Sequence, residues 1–262
     1  NIKEVIIIKK NKKITDILDI SSSLKKILLD KIFIFYPSPR LYIAAKLAGI
    51  KKIYNYPLFK KKNLHLVNAA NKFTCESLNI NSCPTETKFF VNDDKINKAK
   101  KHFSKDHYNI VIGAGSSGPD TRWGGANFIS LINKLNENGN YYFYIQCGPE
   151  QNEISKNIID KIKKKNCMDL SKMNISEIIP ILYLCDLYVG NDSFSHHITS
   201  QCNKPSIVLL LNSPKAYSDY SKNHHRIIPE NAKLEELDHS SNYKANSISI
   251  EKVYNKIIEL KN

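Results

Sequence analysis

The chain has 262 residues, 42% hydrophobic and 10% aromatic, enough apolar surface for one large core or two modest ones and too much for a disordered polymer. Its net charge of +14 invites a nucleic-acid reading, yet only Arg40, Arg122 and Arg226 among 39 basic residues are arginine, the side chain that grips phosphate with a planar fork. A nucleic-acid partner is therefore not expected, and the charge suits only peripheral attraction to an anionic membrane surface.

In chain order, strands are expected over 4–10 ("EVIIIKK") and 31–37 ("KIFIFYP"), then a helix after Pro39 ("RLYIAAKLAG") closed by Gly49. A short strand "KKIYNY" (51–56) and a helical stretch "LHLVNAANKFTCESL" (64–78) follow. Residues 81–107 are polar, with a lysine-rich helical piece, and read as a linker. The rhythm then becomes regular. Strand "YNIVIGAG" (108–115) leads to helix "ANFISLINKLNENG" (126–139), and strand "YYFYIQCG" (141–148) to helix "EQNEISKNIIDKIKKK" (150–165). Helix "SEIIPILYLC" (176–185), strand "DLYVGN" (186–191), a helix over 196–202 and strand "SIVLLL" (206–211) complete the series, and "SIEKVYNKIIEL" (249–260) reads as a closing helix.

Short, almost uniformly apolar strands alternating with amphipathic helices predict an α/β fold with parallel sheets covered on both faces. Two Rossmann-like domains are expected, 1–105 including the linker and 106–262. The sequence starts at Asn1 rather than Met and runs at once into a strand, so the first domain is expected to be incomplete.

The six cysteines form no C-x-x-C pair, and Cys185 and Cys202 lie in apolar surroundings; the pattern suits packed thiols in a reducing compartment. No apolar run approaches the roughly 18 residues of a membrane span, and no signal peptide is visible. A cytoplasmic protein, at most peripheral at the inner membrane, is expected.

Gly113, Gly115 and Gly118 match G-x-G-x-x-G after a strand. Pro119 and further polar residues intervene before the helix, and the next strand ends in Gln146-Cys147-Gly148 with no acidic residue for a ribose, so a dinucleotide cofactor is not expected. The loop's small residues and the hydroxyls of Ser116 and Ser117 still suit phosphate or sugar, against a plain βα loop. Arg122, directly before the single Trp123, offers either fork geometry or a stem packed on the indole. Glu150 and Glu153 follow a strand end, where they would contact a ligand or complement a helix N-terminus.

In "GNDSFSHH" (190–197), Asp192 or Ser193 is placed to cap the next helix, whose free N–H groups favour an anion; the alternative is a capped core helix with one buried, hydrogen-bonded histidine. His196 and His197 are adjacent, so on a helix they point about 100° apart and do not chelate one metal as a pair. No metal is expected, and no G-x-S-x-G elbow supports a nucleophilic triad. His224, His225 and Arg226 are expected in the loop after "SIVLLL", with Tyr217 and Tyr220.

Taken together, "GSSGPDTRW" (115–123), "CGPEQNE" (147–153), "GNDSFSHH" (190–197) and "CNKPSIVLL" (202–210), in that order, resemble the motifs of the heptosyltransferase family, the family-nine glycosyltransferases of lipopolysaccharide core synthesis. The resemblance covers most of residues 30–260, through "IFYPSPRLYIAAKLAGIKKIYNY" in the first half. It implies a GT-B fold of two Rossmann-like domains and inverting, metal-independent transfer of a sugar such as heptose, without cofactor. The donor would be a nucleotide-sugar, with an ADP-sugar favoured, and the acceptor a lipid-linked saccharide.

By likeness, Gly115 and Ser117 would line the donor site and Arg122 would neutralise the leaving diphosphate. Glu153 would contact the nucleoside, while Asp192, Ser193 and the helix start up to His197 would face diphosphate and sugar. Phe194 replaces the family's usual glycine. The family's catalytic base is an Asp in a Gly-Asp turn after the first strand. Nothing before residue 30 matches that turn, and Asp16 and Asp19 stand in another context, so the base is expected in a segment absent from this sequence. A nucleotide-sugar epimerase or hydrolase of the same fold, or a non-catalytic sugar-nucleotide-binding remnant, are the alternatives.

Overall fold

A computed structural model describes residues 5, 7, 15–36, 38–56, 66–84, 87 and 89–262. The chain divides into two compact units, 1–85 and 86–262. Apart from Val5 and Ile7, the strand expected over 4–10 lies outside the described residues.

The first unit contains α1 (Thr15–Ile27), β1 (Lys31–Ile34), α2 (Pro39–Leu47), β2 (Lys52–Asn55) and α3 (Leu66–Leu78). β1 and β2 pair in parallel, with Lys31 opposite Lys52 and Ile34 opposite Asn55. Helix α2 starts where Ser38 Oγ accepts from the Leu41 N–H at 3.2 Å and Pro39 presets the first turn. It ends where Gly49, at φ +81°, takes the left-handed conformation that closes a helix. Its buried face carries Ala44 and Ala45. Asp16 on α1, a helix the sequence pattern did not suggest, is buried and ion-paired with Arg40 at 3.3 Å.

The second unit opens with α4 (Asp93–Lys100), then β3 (Tyr108–Gly113), α5 (Gly125–Glu137), β4 (Tyr141–Gln146), α6 (Asn152–Lys161) and β5 (Cys167–Asp169). It continues through α7 (Ile175–Leu184), β6 (Leu187–Asn191), α8 (Phe194–Gln201), β7 (Ser206–Leu209), β8 (His224–Ile227) and α9 (Ile250–Lys261). The six strands form one parallel sheet in the order β5-β4-β3-β6-β7-β8. His224, His225 and Arg226 thus form an edge strand rather than a loop; a strand with two histidines and an arginine hides from any apolar-run criterion.

Alternate residues face opposite sides of the sheet, and both sides are covered. Ile110, Ile112, Phe143, Ile145, Leu187 and Val189 pack under α5, α6 and α9. Val111, Tyr144 and Tyr188 pack under α4 and α7. Trp123 is completely buried in the first layer, edge-on to Phe128 at 5.0 Å, with its indole N–H donating to the Ile248 carbonyl at 2.9 Å. Among the described residues no helix is long and apolar enough to cross a membrane.

Candidate functional site

The strand order reverses between β3 and β6: the chain leaves β3 toward β4 and β5, then returns to build β6, β7 and β8 on the other side. The loops leaving β3 and β6 therefore diverge and open a crevice at the carboxyl ends of the strands. A cleft of about 750 Å³ lies there. Its walls are Gly115–Ser117 after β3, Cys147, Gly148, Gln151 and Asn152 after β4, Ser171–Asn174 after β5, and Asp192–Phe194 after β6.

Just before the loops that wall it, two glycines are paired across β3 and β6, Gly113 and Gly190. A Cβ on Gly113 would lie 1.9 Å from the Tyr188 hydroxyl, and one on Gly190 would lie 2.5 Å from the Gly113 carbonyl oxygen. Tyr188 fills the space they leave, its hydroxyl bonding the Asn191 carbonyl (2.9 Å) and Ser193 Oγ (3.1 Å). Burial drives its phenol far above the usual range, so it stays protonated as a donor. Asn191, wholly buried, accepts from the Trp123 N–H and donates to the Ala114 carbonyl, both at 2.8 Å, and so pins the loop after β3 to the end of β6.

That loop is further shaped from within. Ser116 Oγ donates to the Gly118 carbonyl at 2.8 Å, while the Ser116 carbonyl accepts from Arg122 Nη2 (3.0 Å) and Gln151 Nε2 (2.7 Å). At Gly115 a Cβ would lie 2.4 Å from Gln151 Oε1 and 3.0 Å from Cys147 Cα, so the glycine serves the close approach of the loops after β3 and β4.

At the start of α8, Ser193 is the N-cap in extended conformation and makes no side-chain cap, because its hydroxyl is turned to Tyr188. Asp192 Oδ1 accepts from His196 Nε2 at 2.9 Å and lies 3.8 Å from His197 Nε2. Burial alone would raise the Asp192 carboxyl; the His196 hydrogen bond and the charge of both histidines outweigh it and hold the group below its ordinary value. Behind Asp192 three imidazoles gather: His196, His197 and, from β8, His224, each with a ligand atom within 4.8 Å of the others. His197 bonds the Tyr220 hydroxyl through Nδ1. Burial, followed by the neighbouring histidine, lowers His197 to about 4; burial and both neighbours lower His224 to about 3.

Of the residues singled out in the sequence, Gly115, Ser117, Asp192 and Ser193 line the cleft together. Arg122 stands behind the Ser116 carbonyl, Glu153 is exposed on the first turn of α6, and His197 lies with the other histidines; none of these three is among the lining residues. Sequence reasoning missed Gln151 and the Lys172–Asn174 wall. The wall follows β5, a three-residue strand too short to register, but its far end carries a legible mark: Asn174 and Glu177 form a capping box at the start of α7.

Residues 45–246 match the family model described as glycosyltransferase family 9 (heptosyltransferase). Lipopolysaccharide heptosyltransferase 1 of Campylobacter coli is 26% identical over 163 residues, covering 57% of this chain and 46% of that protein. The chain thus spans about half the length of this curated relative. Two solved structures share the fold. The glycosyl transferase family 9 protein of Veillonella parvula DSM 2008 superposes with a TM-score of 0.77 at 16% identity, covering 99% of this chain and 82% of its own. ADP-heptose lps heptosyltransferase II of E. coli does so with a TM-score of 0.75 at 16% identity, covering 94% and 81%.

Proposed function

The chain belongs to glycosyltransferase family 9, and from that membership we propose that it holds the sugar nucleotide in a transfer of a heptose-type sugar from an ADP-linked donor to a lipopolysaccharide-type saccharide. The observation that carries the reading is the cleft at the reversal of strand order, walled by Asp192, Ser193 and the start of α8. The likeness to the ADP-heptose lps heptosyltransferase II of E. coli supports an ADP-linked donor.

In this reading the diphosphate lies against the uncapped N–H groups at the start of α8, with Lys172 as the nearby cation in the cleft wall. Ser117 and Ser193 offer hydroxyls, and the ionised Asp192 accepts from sugar hydroxyls. Arg122 acts one layer back, fixing the Ser116 carbonyl and with it the loop, while Glu153 reaches the nucleoside end and His197 supports Asp192. A carboxylate base takes the proton of the acceptor hydroxyl as its oxygen attacks the anomeric carbon; the bond to the diphosphate breaks on the opposite face, inverting that centre. The base is not assigned to a residue of this chain, and no metal at the diphosphate is invoked.

The test is a thermal-shift and calorimetry panel of ADP-, GDP- and UDP-linked sugars. An ADP-sugar should raise the melting temperature most, and Asp192→Ala should weaken its binding by about tenfold or more, the loss of a charge-assisted hydrogen bond. No shift with any donor, or undiminished binding by Asp192→Ala, would remove the proposal.

A further inference from the structure

Beyond the cleft, the geometry points to a transition-metal site formed by His196, His197 and His224, with zinc as the ion that fits. The three residues come from two elements, α8 and β8, and offer ligand atoms within 4.8 Å of one another. Contrary to the roughly 100° divergence expected of adjacent helix positions, the His196 and His197 side chains converge, with ring centroids 3.7 Å apart, and His196 and His224 lie 5.0 Å apart. None of the three lines the cleft.

The hydrogen bonds assign the nitrogens. His196 is fully buried, and its Nε2–H is committed to the Asp192 carboxylate, which leaves Nδ1 as the lone-pair nitrogen. That Nδ1 is buried and has no hydrogen-bond partner. In His197, Nδ1 engages the Tyr220 hydroxyl, so Nε2, 3.8 Å from Asp192 Oδ1, is the nitrogen without a hydrogen bond. His224 is 7% exposed, and neither of its ring nitrogens reaches hydrogen-bond geometry. The Ser218 carbonyl exerts a hydrogen-bond-like pull on it, but Arg226 Nη1 already donates to that oxygen at 2.8 Å. Buried imidazole nitrogens without partners are costly, and here they stand side by side.

A bound cation engages one nitrogen of each ring, the orphaned Nδ1 of His196 among them, and so removes most of that cost. A ligating histidine whose other nitrogen donates to a carboxylate is the usual outer support of a metal centre, and Asp192 gives it to His196. Three neutral imidazoles and no thiolate select a borderline ion, and three ligands leave a fourth position for water. Bonds of 2.0–2.1 Å in a tetrahedron set donor atoms roughly 3.3 Å apart, so binding requires the three imidazoles to draw closer by side-chain rotation. The ion would clamp the start of α8 to β8 and hold Asp192 from behind. It takes no part in sugar transfer, and its existence does not depend on that reading.

The whole chain, without a histidine tag and stripped with a chelator, is titrated with zinc chloride by calorimetry and with cobalt chloride by visible absorption. One equivalent of zinc and the bands of a tetrahedral cobalt centre are expected. His224→Gln and His197→Gln should each weaken binding by about tenfold or more, while exposed His239→Gln leaves it unchanged. Far-ultraviolet circular dichroism checks each variant; if His224→Gln is unfolded, the part-exposed His197→Gln decides. Absence of one-equivalent binding by the parent chain, or binding retained by a folded His197→Gln or His224→Gln, overturns the site whatever the outcome with sugar nucleotides.

Discussion

Asp192 and His196 are joined across the wall of the cleft: the carboxylate lines the cavity, and its Oδ1 accepts from an imidazole nitrogen of a completely buried ring at 2.9 Å. Removing the carboxylate leaves that buried N–H unpaired. Asp192→Ala should therefore cost about 1–3 kcal/mol of folding stability, and Asp192→Asn, whose amide oxygen can still accept, clearly less. Urea denaturation of the two variants beside the parent checks it; equal stability of parent and alanine variant would mean the bond carries no weight.

The glycine pair across β3 and β6 is a matter of backbone approach rather than side-chain fit. A methyl at Gly190 would meet the Gly113 carbonyl oxygen at 2.5 Å, and main chain in the middle of a sheet has nowhere to go. Gly190→Ala should lose about 3 kcal/mol or more, read as a fall in the urea midpoint. Gly118→Ala, whose nearest neighbour would be 3.6 Å away, is the harmless control.

Acid should loosen this half of the molecule before it protonates ordinary carboxylates. His224 and His197 titrate near 3 and 4 in the folded chain, below the value of about 6.5 for a free histidine, so the unfolded chain binds more protons. Their contribution is whole above about pH 6.5 and is lost as pH falls toward 4 and then 3. Asp192, also depressed, contributes above its unfolded value and loses that stability at still lower pH. With chelator present, stability should fall from pH 7 to pH 5 at up to about 1.4 kcal/mol per pH unit for each proton taken up. His224→Gln should flatten that slope; an unchanged slope would show that the ring is not held neutral.

Phe194 stands in the cleft wall, 37% exposed, at the first position of α8. Phe194→Gly should cost about 0.5 kcal/mol in helix propensity and widen the cleft beside the helix start. Affinity for ADP itself is expected to change less than about threefold, under 0.7 kcal/mol. If the proposed function holds, preference among ADP-sugars should relax, since in that reading the altered wall faces the sugar rather than the nucleoside. Parallel calorimetric titrations with ADP and two ADP-sugars separate these terms, and an unaltered preference would place Phe194 away from the sugar.

The α/β class and the parallel sheets were legible because β3, β4, β6 and β7 are apolar on both faces, and "GNDSFSHH" betrayed a strand end running into a helix. What escaped has physical causes. β5 and β8 are edge strands of three and four residues, β5 too short to show an alternation and β8 carrying two histidines and an arginine in place of an apolar run. In α1 a run of three serines blurs the apolar stripe. The histidine cluster was illegible for another reason: His196 and His197 announce themselves as neighbours, but His224 joins them only because β8 lies beside β7 in the finished sheet. Arg122 was noticed for its rarity; that its guanidinium turns to a carbonyl of its own loop is a tertiary fact.

The buried Asn191 has a bearing on how such a cleft can change over generations. One side chain holds both Trp123 and Ala114, so the loop after β3 takes its position from the end of β6. Two of the cleft's walls are thus inherited as a unit: a substitution that re-aims one displaces the other and unseats the indole in the core. Among the described residues no hydrogen bond joins the Lys172–Asn174 wall, hung on a three-residue edge strand, to β6, and under the proposed function that wall is the easier one to reshape for a different donor.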